Sequence, residues 1–413
     1  MRENSRGLQL VTMRPTLILL AFAVGTDVLW GTGAVSAQDW TTRPEYQIDA
    51  SGETASGFGR GSYLRVGPDG TRIVVWDAEP VDYATTVWRI LVYSPDGGLV
   101  LDMGPDDFPD DLGLPWDMRA GASRFWLRYR GRAAWYSYSG GSTGETVVLP
   151  GGLESPLPMD GGGFLGLASL PIDHSGWQAV VHVAGGNGEP APDTIAVLDK
   201  RNLWFSITLR DPRQPRNSSF SHSGQPFADD DIWWMDPEAG SIGIVRTGKS
   251  PGVAEVFEIL ASGDTAWHRH LSLPAVPLGP ERAERAIAEK VDGLRAQAEG
   301  YGVTEAQLRT MVEEVLHVPS HLPPVTAAFA TASREVWLRT REMDSDMAVW
   351  YSISRDDDES APRRVFVPAS FRLNDAFGDH VWGFSQDYSA PRRILGLRLV
   401  SGSQEPAFRV RKK

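Results

Sequence analysis

The stretch RIVVWD (72–77) is the first of six short apolar segments that each carry a tryptophan. One tryptophan from each segment gives intervals of 50, 51, 56, 104 and 45 residues. A period near 50 residues is typical of a chain built from repeated supersecondary units. The other five segments are SRFWLRY (123–129), SGWQAVVHV (175–183), DDIWWMD (230–236), REVWLRT (334–340) and DHVWGFS (379–385), and the tryptophans are Trp76, Trp126, Trp177, Trp233, Trp337 and Trp382.

Further strands and tight turns follow these segments. TTVWRILVYSPDGGLVLDMG (85–104) and MAVWYSISRDDDESAPRRVFVP (347–368) each contain two β-prone runs separated by turn residues. In Ser-Pro-Asp-Gly (94–97) and Gly-Pro-Asp-Gly (67–70), proline presets φ and glycine accepts a positive φ, which indicates hairpins. Four antiparallel strands per repeat, repeated six times and arranged radially, form a six-bladed β-propeller.

The sequence therefore predicts an all-β fold, a six-bladed β-propeller, with the six tryptophans at equivalent strand positions. The segment EYQIDA (45–50) precedes the first blade, and we expect it to pair into the last one and close the ring. Without matching positions for the tryptophans, a pair of β-sandwiches becomes the better account.

The doubled interval of 104 residues is explained by an inserted amphipathic helical hairpin at about 279–318. Apolar residues recur at helical spacing after Pro280, and Thr304-Glu305-Ala306-Gln307 has the pattern of a capping box. The proline-containing run HVPSHLPP (317–324) ends the second helix. We expect this hairpin to pack on the rim or face of the strand body.

The composition excludes several classes of site. The chain has no cysteine, which removes disulfides, zinc–thiolate sites, iron–sulfur clusters and thiol nucleophiles, and an exported chain without disulfides suggests a bacterial source. The formal net charge of −13 argues against a nucleic-acid surface, which requires clustered Lys and Arg. We expect no cofactor.

The first 37 residues have the order of a signal peptide, with a positive region, a short apolar run and a small-residue cleavage site. The apolar run is shorter than the ~20 residues that a membrane span needs, so an uncleaved anchor is disfavoured. The sequence predicts a signal peptide over 1–37, one propeller domain over 38–413 without a membrane span, and export to the periplasm or the extracellular space. The elements are Arg2, Arg6 and Arg14, TLILLAFAVG (16–25) and Val35-Ser36-Ala37, with Met13 as an alternative start.

Taken together, these stretches resemble the six-bladed β-propeller proteins exported by environmental bacteria, a broad NHL-like group. The resemblance rests on VYSPDGGLVLDMG (92–104), the amphipathic helical hairpin, and HLPPV (321–325) leading to REVWLRT (334–340). It covers most of the mature chain. It implies the propeller fold and no defined activity, because members of the group mostly carry none.

Two histidine pairs have spacings that invite a metal-site interpretation. His268 and His270 lie on one face of a predicted strand, about 7 Å apart along it. His317 and His321 are four residues apart, but Pro319 disrupts the helical geometry that such a pair needs. We interpret His268 and His270 as a pair on a strand surface, and His317 and His321 as part of the loop that follows the helix. We therefore predict no metal site.

Acidic runs and short polar motifs are interpreted as turns. Three acidic runs lack the spacing of an EF-hand or a calcium-binding β-roll, so solvated turns are favoured over calcium sites. Asp173-His174-Ser175 contains the residue types of a triad without its geometry, and no G-x-S-x-G elbow is present. The acidic runs are Asp106-Asp107 with Asp110-Asp111, Asp229-Asp230-Asp231, and Asp356-Asp357-Asp358; the other motifs are the glycine turns at 161–163 and 185–186 and the glycosylation-like Asn217-Ser218-Ser219.

The favoured function is a non-catalytic binding or scaffold propeller, a monomer that presents loops around a central channel to a protein, peptide or glycan. The absence of catalytic signatures and the exposed-looking pair Trp233-Trp234 support it. The alternative is a propeller-type hydrolase or lyase with a metal-assisted site at the channel, similar to the calcium-dependent lactonases. That alternative needs carboxylates and an amide from different blades, and the sequence identifies no catalytic residue.

Overall fold

A computed structural model shows an all-β molecule with a propeller-like arrangement of sheets. The predicted signal peptide lies outside the described residues except for Ala37. No described helix is long and apolar enough to cross a membrane. The structure describes residues 37–49, 58–59, 61–80, 86–109, 111–121, 123–159, 162–170, 176–184, 193–211, 214–236, 239–247, 250–357, 360–386 and 391–401.

Four separate antiparallel sheets have four strands each, and in every one the strands follow one another in chain order. They comprise β2 (Tyr63–Val66), β3 (Ile73–Pro80), β4 (Thr86–Tyr93) and β5 (Leu99–Met103); β6 (Asp117–Ala120), β7 (Arg124–Tyr129), β8 (Arg132–Ser137) and β9 (Ser142–Val148); β10 (Glu154–Pro158), β11 (Phe164–Ser169), β12 (Trp177–Val183) and β13 (Asp193–Asp199); and β16 (Ile232–Asp236), β17 (Ser241–Arg246), β18 (Val253–Leu260) and β19 (Thr265–Ser272).

The predicted hairpin turns are confirmed. Between β4 and β5 the backbone N–H of Gly97 donates to the carbonyl of Ser94 at 2.9 Å, and Gly97 has φ +91°. Between β2 and β3, Gly70 donates to Gly67 at 2.9 Å and has φ +70°. The positive φ explains why glycine ends both turns.

A fifth, eight-stranded sheet contains the first strand of the chain between the last ones. β1 (Gln38–Ile48) pairs antiparallel with β26, with Trp40 opposite Ser401 and Ile48 opposite Ile394, and it pairs in parallel with β23 over its first four residues. The predicted pairing of 45–48 with the last sheet is thus confirmed. The strands on either side are β20 (Val325–Ala330), β21 (Glu335–Asp344), β22 (Met347–Ser354) and β23 (Arg363–Pro368), and β24 (Phe371–Phe377), β25 (His380–Ser385) and β26 (Ile394–Ser401).

The helical hairpin is confirmed, and it packs on a strand pair that the sequence did not predict. α1 (Pro280–Gly300) and α2 (Glu305–Val315) agree with the insertion at 279–318, and the Thr304–Gln307 capping box is present. Their apolar stripes cover one face of the two-stranded sheet of β14 (Trp204–Asp211) and β15 (Gln214–Gly224). Together these elements form a satellite with its own apolar core.

Apolar clusters fill the space between consecutive sheets, and one of them joins the first sheet to the last strands. In that cluster Leu64 and Val75 pack with Phe384 and Ile394, and Ile48 of β1 lies among them. A second cluster joins β2–β5 to β6–β9, and a third joins β6–β9 to both β10–β13 and β16–β19. Two more join β16–β19 to β20–β23, and β20–β23 to β24–β26. Each sheet thus packs against its neighbours along the chain, whereas in a pair of β-sandwiches the sheets would pack in two separate face-to-face pairs.

The predicted equivalence of the six tryptophans is wrong for two of them. Trp76, Trp126, Trp337 and Trp382 lie on the second strands of their sheets. Trp177 lies on the third strand of its sheet, and Trp233 lies on the first strand of the next sheet. The strand pair at 204–224 occupies part of the interval between them, so a spacing near 50 residues arises here from strands that are not equivalent. Trp233 and Trp234 are also not exposed, since Trp233 is half-buried and Trp234 is buried.

Replacing Trp337 with Ala should lower the free energy of unfolding by about 3–5 kcal/mol, because the indole is fully buried between sheets and leaves a cavity. Trp204→Ala is the matched control: that side chain is 53% exposed, and its loss should cost less than about 1 kcal/mol. Chemical denaturation measures both. Equal losses would contradict the packing described.

Candidate functional site

A cavity of about 990 Å³ lies where the first strands of the sheets converge. Each four-strand group of the body contributes lining residues from its first strand, among them Arg65, Arg119, Pro158, Met235 and, from the eight-stranded sheet, Asp375. A volume of this size matches small-molecule sites. The cavity is therefore the central feature of the propeller-like arrangement.

Arginine dominates the charge of the lining. Five arginines and three carboxylates line the cavity, although the chain as a whole carries a net charge of −13. The local potential in a cavity is set by the groups around it and not by the net charge. The charged lining residues are Arg65, Arg119, Arg124, Arg334 and Arg355, and Glu145, Asp236 and Asp375.

Three of these arginines are held by carboxylates. The buried Arg355 guanidinium lies 3.1 Å from Asp236 and 3.0 Å from Glu258, and so ties two neighbouring sheets together. Arg334 pairs with Asp356 at 2.5 Å at the exposed edge. Arg124 pairs with Glu145, and its charge is likewise compensated.

The remaining two arginines, Arg65 and Arg119, are differently placed. Arg65 Nη1 donates to the carbonyl of Asn374 at 3.2 Å. Burial lowers the pKa of the Arg65 guanidinium, and the nearby Arg119 charge lowers it further, while Asp375 opposes the effect. For Arg119, no hydrogen bond or ion pair is seen within the described part of the chain, and its Nε is buried without a partner, as is that of Arg65.

Asp375 does not neutralise this arginine pair completely. Its Oδ2 accepts the N–H of Val66 and its Oδ1 that of Ala376, both at 2.9 Å, so it joins the first sheet to the last strands. Burial raises the pKa of the Asp375 carboxyl, against the opposing effect of Arg65. Asp117 also acts on Arg65, but Arg128 lies opposite Asp117 on β7, so the two carboxylates lie beside three guanidinium groups even when both are ionised.

Two tryptophans line the cavity beside the charged side chains, with Trp126 opposite Arg119 on the adjacent strand. Trp126 and Trp135 lie opposite each other on adjacent strands and are mostly buried, with Met235 in the same apolar cluster. No histidine is found among the described lining residues. Unpaired guanidinium groups beside an apolar wall suit an anion with a non-polar portion, because arginine binds carboxylate, phosphate or sulfate through paired N–H donors.

The histidine pairs predicted from the sequence lie outside this cavity. His268 and His270 share a strand face as predicted, with ring centroids 4.5 Å apart, and His270 Nδ1 is 3.9 Å from Glu255. His317 lies 3.1 Å from Asp229, whereas His321 contacts Ser320. Among the described residues, no group of three or more His, Cys, Asp or Glu has the arrangement of a metal site.

Of the acidic runs, one contradicts its prediction. The described aspartates of 106–111 and 356–358 are exposed, as expected for turns. Asp230 and Asp231 are buried instead, because Asp231 pairs with Arg246 at 2.9 Å and Asp230 accepts the N–H of Asn202 at 2.8 Å. These partners come from other strands and loops, so the local sequence does not indicate them.

Several other motifs remain untested. Asp173-His174-Ser175, Asp160-Gly161 and Gly185-Gly186 lie outside the described residues, and the side chain of Asn217 is not described. Gly162 and Gly163 have positive φ, as a glycine turn requires. The arginines of the cavity were missed because they come from five separate strands and turns and form no motif.

Comparison with known proteins yields structural similarity without sequence similarity. No family model and no curated protein matches this chain. A provisionally assigned exported protein of Bacteroides fragilis is 8% identical, with a TM-score of 0.41 over 89% of this chain and 100% of that one. The WD40 domain of SCAP from fission yeast is 9% identical, with a TM-score of 0.30 over 89% and 92% of the two chains. An N11 neuraminidase-like protein from a flat-faced bat isolate is 8% identical, with a TM-score of 0.34 over 90% and 96%.

Replacing Arg355 with Met should lower the free energy of unfolding by about 3–5 kcal/mol, because the buried Glu258 and the half-buried Asp236 would both lose their positive partner. The matched control is Arg334→Met, which removes an exposed pair and should cost less than about 1 kcal/mol. Urea denaturation separates the two variants. A loss below 1 kcal/mol for Arg355→Met would show that this ion cluster does not hold the sheets together.

Proposed function

We propose that this chain is an exported, six-bladed β-propeller of the NHL-like kind that binds an anionic ligand in its central cavity. Five groups of four strands, β2–β5, β6–β9, β10–β13, β16–β19 and β20–β23, support six blades, with β24–β26 and β1 as the sixth. Packing of the first group against the last strands supports a closed ring. The cavity then occupies the position of the propeller channel.

The observation that carries the ligand class is the Arg119 guanidinium, which lacks a carboxylate partner among the described residues and lies near Arg65. Two like charges in a partly buried lining are unfavourable alone, since desolvation and mutual repulsion both raise the energy of the unliganded state. A bound carboxylate, phosphate or sulfate group relieves both. The protein, peptide or glycan partner expected from the sequence would then be one that carries such a group.

Binding of citrate, inorganic phosphate and sulfate by the mature chain tests this proposal in isothermal titration calorimetry at low ionic strength. Arg119→Gln should weaken anion binding by about tenfold or more, since a hydrogen bond to a charged group contributes about 1.5–3 kcal/mol. Arg132→Gln is the control, because Arg132 lies in the same sheet, exposed and paired with Asp111 outside the cavity.

Equal anion affinity in wild type and Arg119→Gln would contradict the proposed site. Comparison of the three anions distinguishes carboxylate from phosphate and sulfate chemistry.

Chemical turnover of a bound ester, lactone or uronate would instead support the alternative, a propeller-type hydrolase or lyase. Addition and chelation of calcium during the same assay tests a metal-assisted form of that reaction.

Export belongs to the same proposal, with residues 1–37 as a cleaved leader and 38–413 as one domain. The positive, apolar and small-residue order of the leader supports it. Intact mass of the protein recovered from the periplasm or the medium should correspond to a chain that begins at Gln38. Recovery of the uncleaved chain from the cytoplasm alone would contradict export.

A further inference from the structure

A second cavity, of about 490 Å³, lies where the satellite meets the strand body. Its lining includes Lys200 from the β13–β14 connection, Asp230 from the segment before β16, and Arg341 from β21. It shares no described lining residue with the central cavity, so it forms a separate site. The chemistry of this second cavity does not depend on the proposed anion site.

Asp230 is buried in this cavity with one oxygen unused. The side chain is 8% exposed, its Oδ1 accepts the N–H of Asn202 at 2.8 Å, and its Oδ2 has no hydrogen-bond partner among the described residues. Burial raises the pKa of Asp230 to about 6, so the group holds a proton under mildly acidic conditions. The free oxygen can therefore donate a proton into the cavity.

Lys200 places a primary amine in the same cavity. Its Nζ donates to the backbone carbonyl of Asp231, and no ion pair of this amine with a carboxylate is seen among the described residues. Burial lowers the pKa of the Lys200 ammonium, although the Asp230 and Asp231 carboxylates oppose the effect. Desolvation of this kind makes a lysine amine available as a nucleophile.

Arg341 adds a positive group to the same lining. Its Nε donates to the carbonyl of Pro323 at 3.2 Å, and no carboxylate pairs with it in the described part of the chain. Burial and the nearby Arg282 charge both lower the pKa of Arg341. Its remaining N–H donors can bind a carboxylate in the bidentate manner.

We propose that Lys200 reversibly captures a small carbonyl compound that carries a carboxylate, with Asp230 as proton donor and Arg341 as the anchor of the carboxylate. The neutral amine attacks the carbonyl carbon, a C–N bond forms, and a proton passes from nitrogen to the former carbonyl oxygen. Asp230 then protonates that hydroxyl, which leaves as water as the nitrogen lone pair forms the C=N bond. The iminium proton returns to the Asp230 carboxylate, and amine plus carbonyl gives imine plus water without an oxidant or reductant.

The proton donor gives the reaction a pH dependence. Lys200, Asp229 and Asp199 are the charged groups that act on Asp230, with the Asp231–Arg246 pair and His317 next to them. As pH rises through about 6, Asp230 loses its proton and dehydration slows, while the neutral fraction of Lys200 increases. The rate of imine formation should therefore pass through a maximum as the pH is varied. Asp230→Asn should abolish the decline on the alkaline side of that maximum, which is due to the loss of the Asp230 proton.

Trapping with sodium cyanoborohydride tests the inference on the mature chain. Pyruvate is the probe, and peptide mapping by mass spectrometry locates the reduced adduct among the five lysines, Lys200, Lys249, Lys290, Lys412 and Lys413. The adduct should form mainly at Lys200. Lys200→Arg, which keeps the charge, should abolish that adduct without changing the circular dichroism spectrum, and Asp230→Asn should slow its formation by about tenfold or more.

Lys290 supplies the matched control. Burial also lowers the pKa of its ammonium, but its Nζ donates to Ser223 and Gly224 and lies over the Phe205 ring, and no carboxyl group pairs with it among the described residues. Lys290→Arg should leave the total adduct unchanged. Acetone, which lacks the carboxylate, should react more slowly than pyruvate at Lys200, and Arg341→Gln should remove that difference.

Equal labelling of all lysines, or an undiminished total adduct in Lys200→Arg, would overturn the proposal. Equal rates for acetone and pyruvate would overturn the assignment of Arg341 as the anchor. A pH profile that is the same in wild type and Asp230→Asn would show that Asp230 has only a structural role, and would overturn its assignment as proton donor.

Discussion

The pairing of β1 with β26 is the interaction on which the rest of the structure depends. The eight residue pairs from Trp40–Ser401 to Ile48–Ile394 fix the first strand of the body to the last. With Ile48 in place, the last strands can pack against the first sheet, and every sheet then buries apolar side chains against a neighbour. Strands that pair at the ends of a chain in this way leave fewer free edges to associate with other molecules.

Local chemistry made part of this fold predictable. The Ser94–Gly97 and Gly67–Gly70 turns and the Thr304 capping box depend on residues within four positions of one another, and all three are confirmed. The tryptophan period was less informative, because an aromatic side chain fills any strand position that faces a neighbouring sheet. Trp233 therefore entered the series from a first strand, and the polar β15 sequence hid the strand pair that precedes it.

The sites depend on distant residues, and that is why sequence patterns missed them. Arg65 and Arg119 belong to different sheets and meet only after the first strands converge. Asp230 and Asp231 resemble a solvated acidic turn, yet Arg246 and Asn202 from neighbouring strands and loops bury them. The net charge of −13 is a property of the whole chain, and it predicted nothing about the sign of the potential in the central cavity.

Both proposed sites follow from charges that the fold buries without full compensation. Such groups reduce stability, so the structure either stabilises them by internal partners, as with Arg355, or leaves them to a ligand. The most direct test of the central anion site is a crystal structure of the mature chain grown in selenate, because anomalous scattering locates the selenium atom. We expect an anomalous peak between the guanidinium groups of Arg65 and Arg119. Selenate found only at surface lysines and arginines, with ordered density for a carboxylate pairing with Arg119, would contradict it.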